Sequence, residues 1–145
     1  MNHLTYIRIL SENDVDIPLL INIHKIPEIS QYISINKNYW HYISNTPNVY
    51  FYKVYHNDNL ISSIHLEIHN NILFMDILVF PQYQKLGFGT RIIKDIQNDI
   101  FNLNYEKIEI SIDETNEKSL NLFKKEGFEY LSQDKELLNF VYYKH

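Results

Sequence analysis

Two glycines separated by one residue could form part of a phosphate-binding site. Gly87 and Gly89 lie between an apolar run that ends at Phe80 and a stretch with helical spacing. The N-terminus of a helix presents backbone N–H groups without intrahelical partners, and such a terminus binds anions readily. The chain has only 3 glycines in 145 residues, where about ten are usual. The pair is therefore a candidate site, with tight packing of a helix on a strand as the structural alternative.

Two well-known phosphate-binding loops do not fit this segment. A dinucleotide-binding fingerprint needs a third glycine at position 92, where the chain has Ile92. A P-loop needs Lys followed by Ser or Thr directly after the second glycine, whereas Thr90 and Arg91 follow Gly89. We expect that a side chain at Gly89 would intrude where the phosphate approaches and would abolish binding.

Three other residues could carry acid–base chemistry. Asp76 lies within an apolar run, where a carboxylate needs a partner. His65 and Glu67 are two residues apart on the preceding run, so they share one face of a strand. Asp76 is a candidate catalytic or substrate-orienting group, and His65 or Glu67 could be a base through water; structural hydrogen bonding is the alternative for each. No third ligand follows at a recognisable spacing, so we expect no metal.

The elements that must position these residues alternate between strands and helices. Ser11 followed by acidic residues predicts a helix N-cap after the first strand. Three apolar runs separated by Asn-rich turns predict an antiparallel meander, and one strand–helix–strand crossover should place two parallel strands side by side. The predicted strands and helices after position 48 are 49–55, 60–68, 72–80, helix 88–101, 107–112, helix 116–126, 128–131 and 137–143. Gly127 should cap the last helix in the left-handed conformation.

These segments resemble two motifs of the GCN5-related N-acetyltransferase (GNAT) superfamily. The acetyl-CoA-binding motif is matched by Val79, Pro81, Gln84, Gly87 and Gly89. The second motif is matched by five residues at the family's spacing, namely Asn116, Ser119, Phe123, Gly127 and Phe128. The resemblance implies one GNAT domain over residues 1–145, in the α/β (α+β) class. Its central sheet would be mostly antiparallel, with one β-α-β crossover and flanking helices.

The resemblance also implies how acetyl-CoA would bind. The backbone of the loop and helix start would hold the pyrophosphate, at Gln84, Lys85, Leu86, Gly87, Phe88, Gly89 and Thr90. The edge of Ile77, Leu78 and Val79 would pair with pantetheine, on a strand that carries a bulge and splays from its neighbour. The N–H of Leu78 would be the oxyanion donor.

Side chains near the second motif would complete this cofactor site. Asn116 would contact pantetheine or substrate, with a helix N-cap as the alternative. Ser119 and Phe123 would line the CoA channel, with plain core packing as the alternative for Phe123.

The chain departs from the family pattern at the acid and the base. Many members have Tyr at the position of Phe123, which can protonate the leaving thiolate, and Glu at the position that matches Met75. Tyr83 or Tyr130 could replace the acid, or water could, or no acid is needed. An aromatic segment falls where members build the acceptor pocket, although packing against the sheet is the alternative for each of its residues: Tyr32, Tyr39, Trp40, His41 and Tyr42.

Composition excludes several other classes of protein. The chain has no cysteine, so disulfide scaffolds, thiolate metal sites and a Cys nucleophile are excluded. A net charge of −5 disfavours nucleic acid as a partner and mildly favours a cationic one. No apolar run is long enough to cross a membrane and no signal peptide is visible, so we expect a cytoplasmic protein without a membrane partner.

The leading hypothesis is an acyltransferase that moves acetyl from acetyl-CoA to a primary amine by direct attack. The amine could belong to a small molecule or to a protein. A non-catalytic acyl-CoA-binding or regulatory domain is the competing hypothesis, and a nucleotide-binding module unrelated to CoA is the third. Homodimers are common in the family, so a homodimer is an expectation here.

Overall fold

A computed structural model describes residues 3–144 and contains one seven-stranded sheet with helices on both faces. The strands are Leu4–Arg8 (β1), Val49–His56 (β2), Asn59–His69 (β3), Ile72–Val79 (β4), Lys107–Asp113 (β5), Glu129–Asp134 (β6) and Leu137–Tyr143 (β7). The helices are Ile17–His24 (α1), Pro27–Ser30 (α2), Tyr39–Asn45 (α3), Phe88–Gln97 (α4) and Glu117–Lys125 (α5). Within residues 3–144, none of these helices has the length and apolar character needed to cross a membrane.

The strand order in the sheet is β1-β2-β3-β4-β5-β7-β6. All neighbours are antiparallel except β4 and β5, which are joined through α4 and run parallel. The predicted mixed α/β class, with its antiparallel meander and single crossover, is confirmed. Gly127 has a φ of +90° directly after α5, so its predicted role as a left-handed cap is also confirmed.

The start of the first helix differs from the prediction. Ser11 does not cap a helix: its Oγ accepts from the N–H of Asn13 (3.1 Å), and an Asp14 carboxylate oxygen accepts from the N–H of Asp16 (2.9 Å). These local hydrogen bonds form turns instead, because short polar side chains compete with the helix for backbone groups. Helix α1 begins at Ile17, where Pro18 favours the first turn.

Strands β4 and β5 pair over a short distance and then separate. The parallel ladder covers only the pairs from Ile72–Lys107 to Phe74–Glu109. Beyond it, β4 stays paired with β3 and β5 stays paired with β7. No register shift interrupts the β3–β4 ladder, so the expected bulge is absent from that side of β4. The sheet opens between β4 and β5 because β4 stays paired with β3 and β5 stays paired with β7 as the two strands diverge.

Two apolar clusters pack on opposite faces of the sheet. One contains α4, α5 and the core-facing residues of β3, β4 and β5, including Ile92, Ile93 and Met75. The other contains α1, α2 and α3, including Trp40 and Ile43. The split between β4 and β5 therefore lies between two well-packed layers, which fix its edges.

Candidate active site

The loop before α4 presents a row of backbone N–H groups. A short 3₁₀ turn, Pro81–Tyr83, leads from β4 into this loop, and Gly87 precedes α4 with a φ of +84°. Within residues 3–144, the N–H groups from Lys85 to Thr90 donate to no protein acceptor. Such a helix start can bind an anion through N–H groups and the positive end of the helix dipole. This is the segment in which the sequence predicted a pyrophosphate site.

The side chain of Gln84 joins this loop to the end of β4. Its Nε2 donates to the backbone oxygen of Val79 at 3.0 Å. The loop and the open edge of β4 are therefore held in one fixed arrangement.

Gly87 and Gly89 have different structural roles. A Cβ atom at Gly87 would meet no described atom within 4 Å, but a φ of +84° disfavours any other residue. A Cβ atom at Gly89 would lie 3.0 Å from Cδ2 of Leu122 on α5. The expectation that a side chain at Gly89 would point at the phosphate is therefore corrected: it would point between α4 and α5.

The predicted residues of α5 have visible structural roles. Asn116 is the N-cap of α5, and its Oδ1 accepts from the N–H of Ser119 in a long contact of 3.4 Å. Phe123 is buried in the core and makes an edge-to-face contact with Phe128, with ring centroids 5.2 Å apart. Asn116 therefore has the role of a helix N-cap and Phe123 that of a core residue. Contact of either side chain with CoA stays a prediction.

The β3–β4 ladder determines which N–H groups of β4 point toward the split. The N–H of Phe80 donates to the oxygen of Ile61 (3.0 Å), and the register continues from there without a shift. Backbone groups alternate in direction along a strand, so the N–H of Leu78 also points to β3, whereas those of Ile77 and Val79 point toward β5. The expectation that the Leu78 N–H is free to act as the oxyanion donor is therefore wrong, because this N–H points to β3, although the Leu78 side chain lines the adjoining cleft.

An open cleft lies on the α1–α3 side of the split. It consists of a cavity of about 500 Å³ beside α3 and a smaller one of about 210 Å³ over β4 and β5. His65, Glu67 and Asp76 line both cavities. The three candidate acid–base residues are therefore brought together in one place.

His65 and Glu67 are held in a chain of hydrogen bonds. His65 Nδ1 is 2.6 Å from the hydroxyl of Tyr39, and its Nε2 is 2.6 Å from Glu67 Oε2. Glu67 Oε1 also accepts from Tyr42 (2.8 Å) and lies 3.0 Å from His69 Nε2. Burial raises the pKa of Glu67, but the hydrogen bonds from His69, His65 and Tyr42 outweigh it and hold that pKa below its usual value.

Asp76 lies in the same cleft as Glu67 but has a different environment. It lies opposite His65 in the β3–β4 register and makes no hydrogen bond or ion pair with any residue from 3 to 144. Asp76 is exposed to solvent, although nearby protein atoms still desolvate its carboxylate. Desolvation raises the pKa of Asp76 and the Glu67 carboxylate adds to this, while the nearby His65 opposes it. The partner expected for this carboxylate is thus not supplied by the described chain.

Only some of the remaining candidates line the two cavities. Met75 belongs to the core cluster that contains α4 and α5 and also lines the smaller cavity, where its thioether cannot act as a base. Tyr83 and Tyr130 do not line either cavity. In the aromatic segment, Tyr39 and Tyr42 line the cleft, whereas Trp40 is core.

Ser63 and His69 were not predicted from the sequence. Ser63 lines the larger cavity, and His69 contacts Glu67. The alternation of positions 63, 65, 67 and 69 on one face of β3 was the signal that could have found them. No group of three His, Asp or Glu side chains suited to a metal ion occurs in residues 3–144.

Comparison with known proteins gives a family match over most of the chain. The model of the acetyltransferase (GNAT) family matches residues 19–128. A protein of Mus musculus named thialysine N-epsilon-acetyltransferase is 33% identical over 70 residues, which cover 48% of this chain and 41% of the mouse protein. The match thus spans less than half the length of that curated relative.

Solved structures of low sequence identity share the whole fold. Spermidine N-acetyltransferase from Vibrio cholerae, in complex with CoA and spermine, has a TM-score of 0.82 at 17% identity, covering 97% of this chain and 95% of that one. The Campylobacter jejuni N-acetyltransferase PseH, in complex with acetyl coenzyme A, has a TM-score of 0.79 at 14% identity, covering 99% and 100%. At these identities the likeness establishes the fold alone.

Proposed function

Because this chain belongs to the acetyltransferase (GNAT) family, we propose that it transfers the acetyl group of acetyl-CoA to a primary amine by direct attack. Enzymes of this family use acetyl-CoA as the cosubstrate. The observation that carries the proposal is the split between β4 and β5. It leaves an open strand edge beside a cleft that contains the Asp76 carboxylate, and the loop that follows β4 has a row of free N–H groups.

The cofactor half of the proposed site offers hydrogen-bond donors of the kind that acetyl-CoA needs. The N–H groups from Lys85 to Thr90 would bind the pyrophosphate. The edge of β4 between Ile77 and Val79 would pair with the amide groups of the pantetheine arm, as a neighbouring strand would. When bound, acetyl-CoA supplies an activated thioester carbonyl at the split.

The N–H of Ile77 is the proposed donor to the thioester oxygen as negative charge develops there. One such donor typically contributes about 3 kcal/mol to catalysis. This N–H points toward β5, away from the ladder with β3, so it is available to the substrate.

Asp76 is the proposed base that accepts a proton from the acceptor amine. An amine attacks only as the neutral form, and a carboxylate whose pKa is raised is a better proton acceptor than an ordinary one. The amine nitrogen forms a bond with the carbonyl carbon, the carbon–sulfur bond breaks, and the sulfur takes the bonding pair. The amine proton passes to Asp76, and the thiolate leaves to water because a thiol of ordinary pKa needs no strong acid.

The test is a thiol-release assay with acetyl-CoA and a panel of primary amines. We expect turnover with at least one amine, and a loss of kcat of about 10²-fold or more when Ile77 is replaced by its α-hydroxy acid analogue, which removes only the N–H. The same replacement at Ile112, a core residue of β5 that lines neither cavity, is the matched control for a backbone ester elsewhere.

Two results would contradict the proposal. Binding of CoA without turnover of any amine would favour the alternative, a non-catalytic acyl-CoA-binding domain. Binding of ATP or NAD in place of CoA would favour an unrelated nucleotide-binding module.

A further inference from the structure

We infer that the acceptor is an aliphatic amine that carries a second ammonium group and no carboxylate or phosphate. This inference rests on the proposed function, because it assigns the substrate of the same cleft. It depends on which charges line the cleft and on how they are spaced.

The lining of the cleft is acidic and contains no strong cation. Glu67 and Asp76 face both cavities, and Glu109, whose carboxylate is paired with Lys107, faces the smaller one. Neither cavity is lined by any Lys or Arg from the described part of the chain. A substrate carboxylate or phosphate would therefore leave water without gaining an opposite charge, and this transfer is costly.

Two basic side chains near the cleft are not available to bind an anion, because one is neutral and the other is paired with a carboxylate. Burial lowers the pKa of His24, whose Nδ1 lies 2.7 Å from the oxygen of Leu20. Lys107 Nζ is 3.3 Å from Glu109 Oε2, so this lysine is engaged with a carboxylate. Neither residue is placed to bind an anionic group of the acceptor.

Two carboxylates at different positions favour two ammonium groups. The reacting amine belongs beside Asp76, which directly precedes Ile77 on β4. Glu67 lies diagonally across the β3–β4 ladder from Asp76, a separation of about 7–8 Å between Cα atoms. A flexible spacer of a few carbons would place a second ammonium group near Glu67 while the first reacts.

Aromatic rings on α3 complete the site for a cation. Tyr39 and Tyr42 line the larger cavity, and both hydroxyls are engaged in the chain that contains His65 and Glu67. A ring held in place presents a negative face, which attracts ammonium groups. The α3 side of the cleft thus suits the charged end of the acceptor and its apolar spacer.

The experiment compares three amines that share a five-carbon chain: cadaverine, lysine and pentylamine. Lysine adds a carboxylate to cadaverine, and pentylamine lacks its second amine. We expect kcat/KM for cadaverine to exceed that for the other two by about tenfold or more. Thialysine, which also carries a carboxylate, should behave as lysine does. Equal or better use of lysine, thialysine or pentylamine would overturn the inference.

A binding measurement separates this inference from the proposed function. Calorimetry with the protein and CoA should show tighter binding of cadaverine than of lysine or pentylamine, even if no amine is turned over. Absence of turnover with cadaverine-selective binding would contradict only the proposed function. Equal binding of all three would contradict the inference, whatever the activity.

Two further readouts locate the selectivity. Glu67→Gln should reduce the preference for cadaverine over pentylamine by about fivefold or more, whereas Glu114→Gln, an exposed residue outside both cavities, should leave it unchanged. For the unmodified protein, raising NaCl from about 50 to about 500 mM should weaken the use of cadaverine more than that of pentylamine. An unchanged preference in both tests would overturn the assignment of Glu67.

Discussion

Asp76 and Glu67 are both carboxylates on the floor of one cleft, but their surroundings favour opposite protonation states. Glu67 accepts three hydrogen bonds, from Tyr42 and from two histidines, and its pKa is lowered. Asp76 has no such partner within residues 3–144 and its pKa is raised. Two carboxylates whose environments push their pKa values apart divide the roles of proton acceptor and fixed charge.

Asp76→Asn should therefore increase stability while it reduces activity. A raised pKa in the folded state means that Asp76 contributes stability below its ordinary pKa of 3.8 and loses this contribution as pH rises through the raised value. At neutral pH, where the ionised form is disfavoured, the amide should raise the free energy of unfolding. Urea unfolding at pH 7 and at pH 3.5 checks this: the gain should be present at pH 7 and shrink in acid. A loss of stability at pH 7 would contradict it.

Glu67→Gln is the matched variant, and it should change the free energy of unfolding at pH 7 in the opposite direction to Asp76→Asn. A lowered pKa in the folded state means that Glu67 contributes stability above its ordinary pKa of 4.5 and loses it as pH falls through the lowered value. We expect a loss of about 1–3 kcal/mol in the free energy of unfolding at pH 7. The same urea titrations measure it, and the difference from the unmodified protein should fall in acid.

Gly87→Ala and Gly89→Ala should have different effects: the first should weaken CoA binding, and the second should lower stability. Gly87→Ala introduces a left-handed alanine, which costs about 1–2 kcal/mol and disturbs the N–H row, so CoA binding should weaken. Gly89→Ala crowds Leu122, so the second substitution Leu122→Ala should restore part of the lost stability. Calorimetric CoA affinity and thermal unfolding are measured for Gly87→Ala, Gly89→Ala, Leu122→Ala and the double variant Gly89→Ala/Leu122→Ala. Additive effects of Gly89→Ala and Leu122→Ala would contradict the packing role.

At the scale of elements, the two hairpins of the meander use turns without glycine. Asn57–Asp58 joins β2 to β3, Asn70–Asn71 joins β3 to β4, and all four residues have positive φ. Type I′ turns of two residues require this conformation and prefer Asn-Gly. These tight turns set the β3–β4 register that places His65 opposite Asp76.

Asn71→Gly should therefore stabilise the protein, by about 0.5 kcal/mol, since glycine adopts positive φ without strain. Asn71→Ala should destabilise it by about 1 kcal/mol. Chemical denaturation of both variants measures the difference. Equal stability of the alanine and glycine variants would show that position 71 is not strained.

The sequence was sufficient for some elements and insufficient for others, for physical reasons. The glycine loop and Gly127 were predicted because their backbone conformations restrict the residue type. The direction of the Leu78 N–H was not predicted correctly, because it depends on the register of the strands, which the pattern of side chains does not reveal. The α1 start was misplaced because Ser11 and Asp14 suit a turn as well as an N-cap.

At the scale of the whole molecule, one sheet separates two apolar clusters. We propose that they unfold together as a single domain, because β3 and β4 contribute side chains to both. Ile43→Ala and Ile93→Ala leave cavities on opposite faces of the sheet, and each should lower the free energy of unfolding by about 2–5 kcal/mol.

A homodimer stays a prediction, to be checked by light scattering.

Two probes test this cooperativity. Fluorescence of Trp40, the single tryptophan, reports the α1–α3 face, and far-ultraviolet circular dichroism reports the whole sheet. In both variants the two transitions should coincide at a lower denaturant concentration. Loss of the tryptophan signal before the dichroism signal in Ile43→Ala would show two independently unfolding parts.

The order of the strands in the sheet almost repeats their order along the chain. Three of the six strand pairings, β2–β3, β3–β4 and β6–β7, close turns of only two residues, and such local contacts form quickly. Among the long-range pairings, that of β4 with β5 must wait for α4 and gains only three residue pairs. The meander should form early, and closure of the crossover should limit the folding rate. The weakest seam of the sheet, where the proposed chemistry takes place, would thus be the last to assemble.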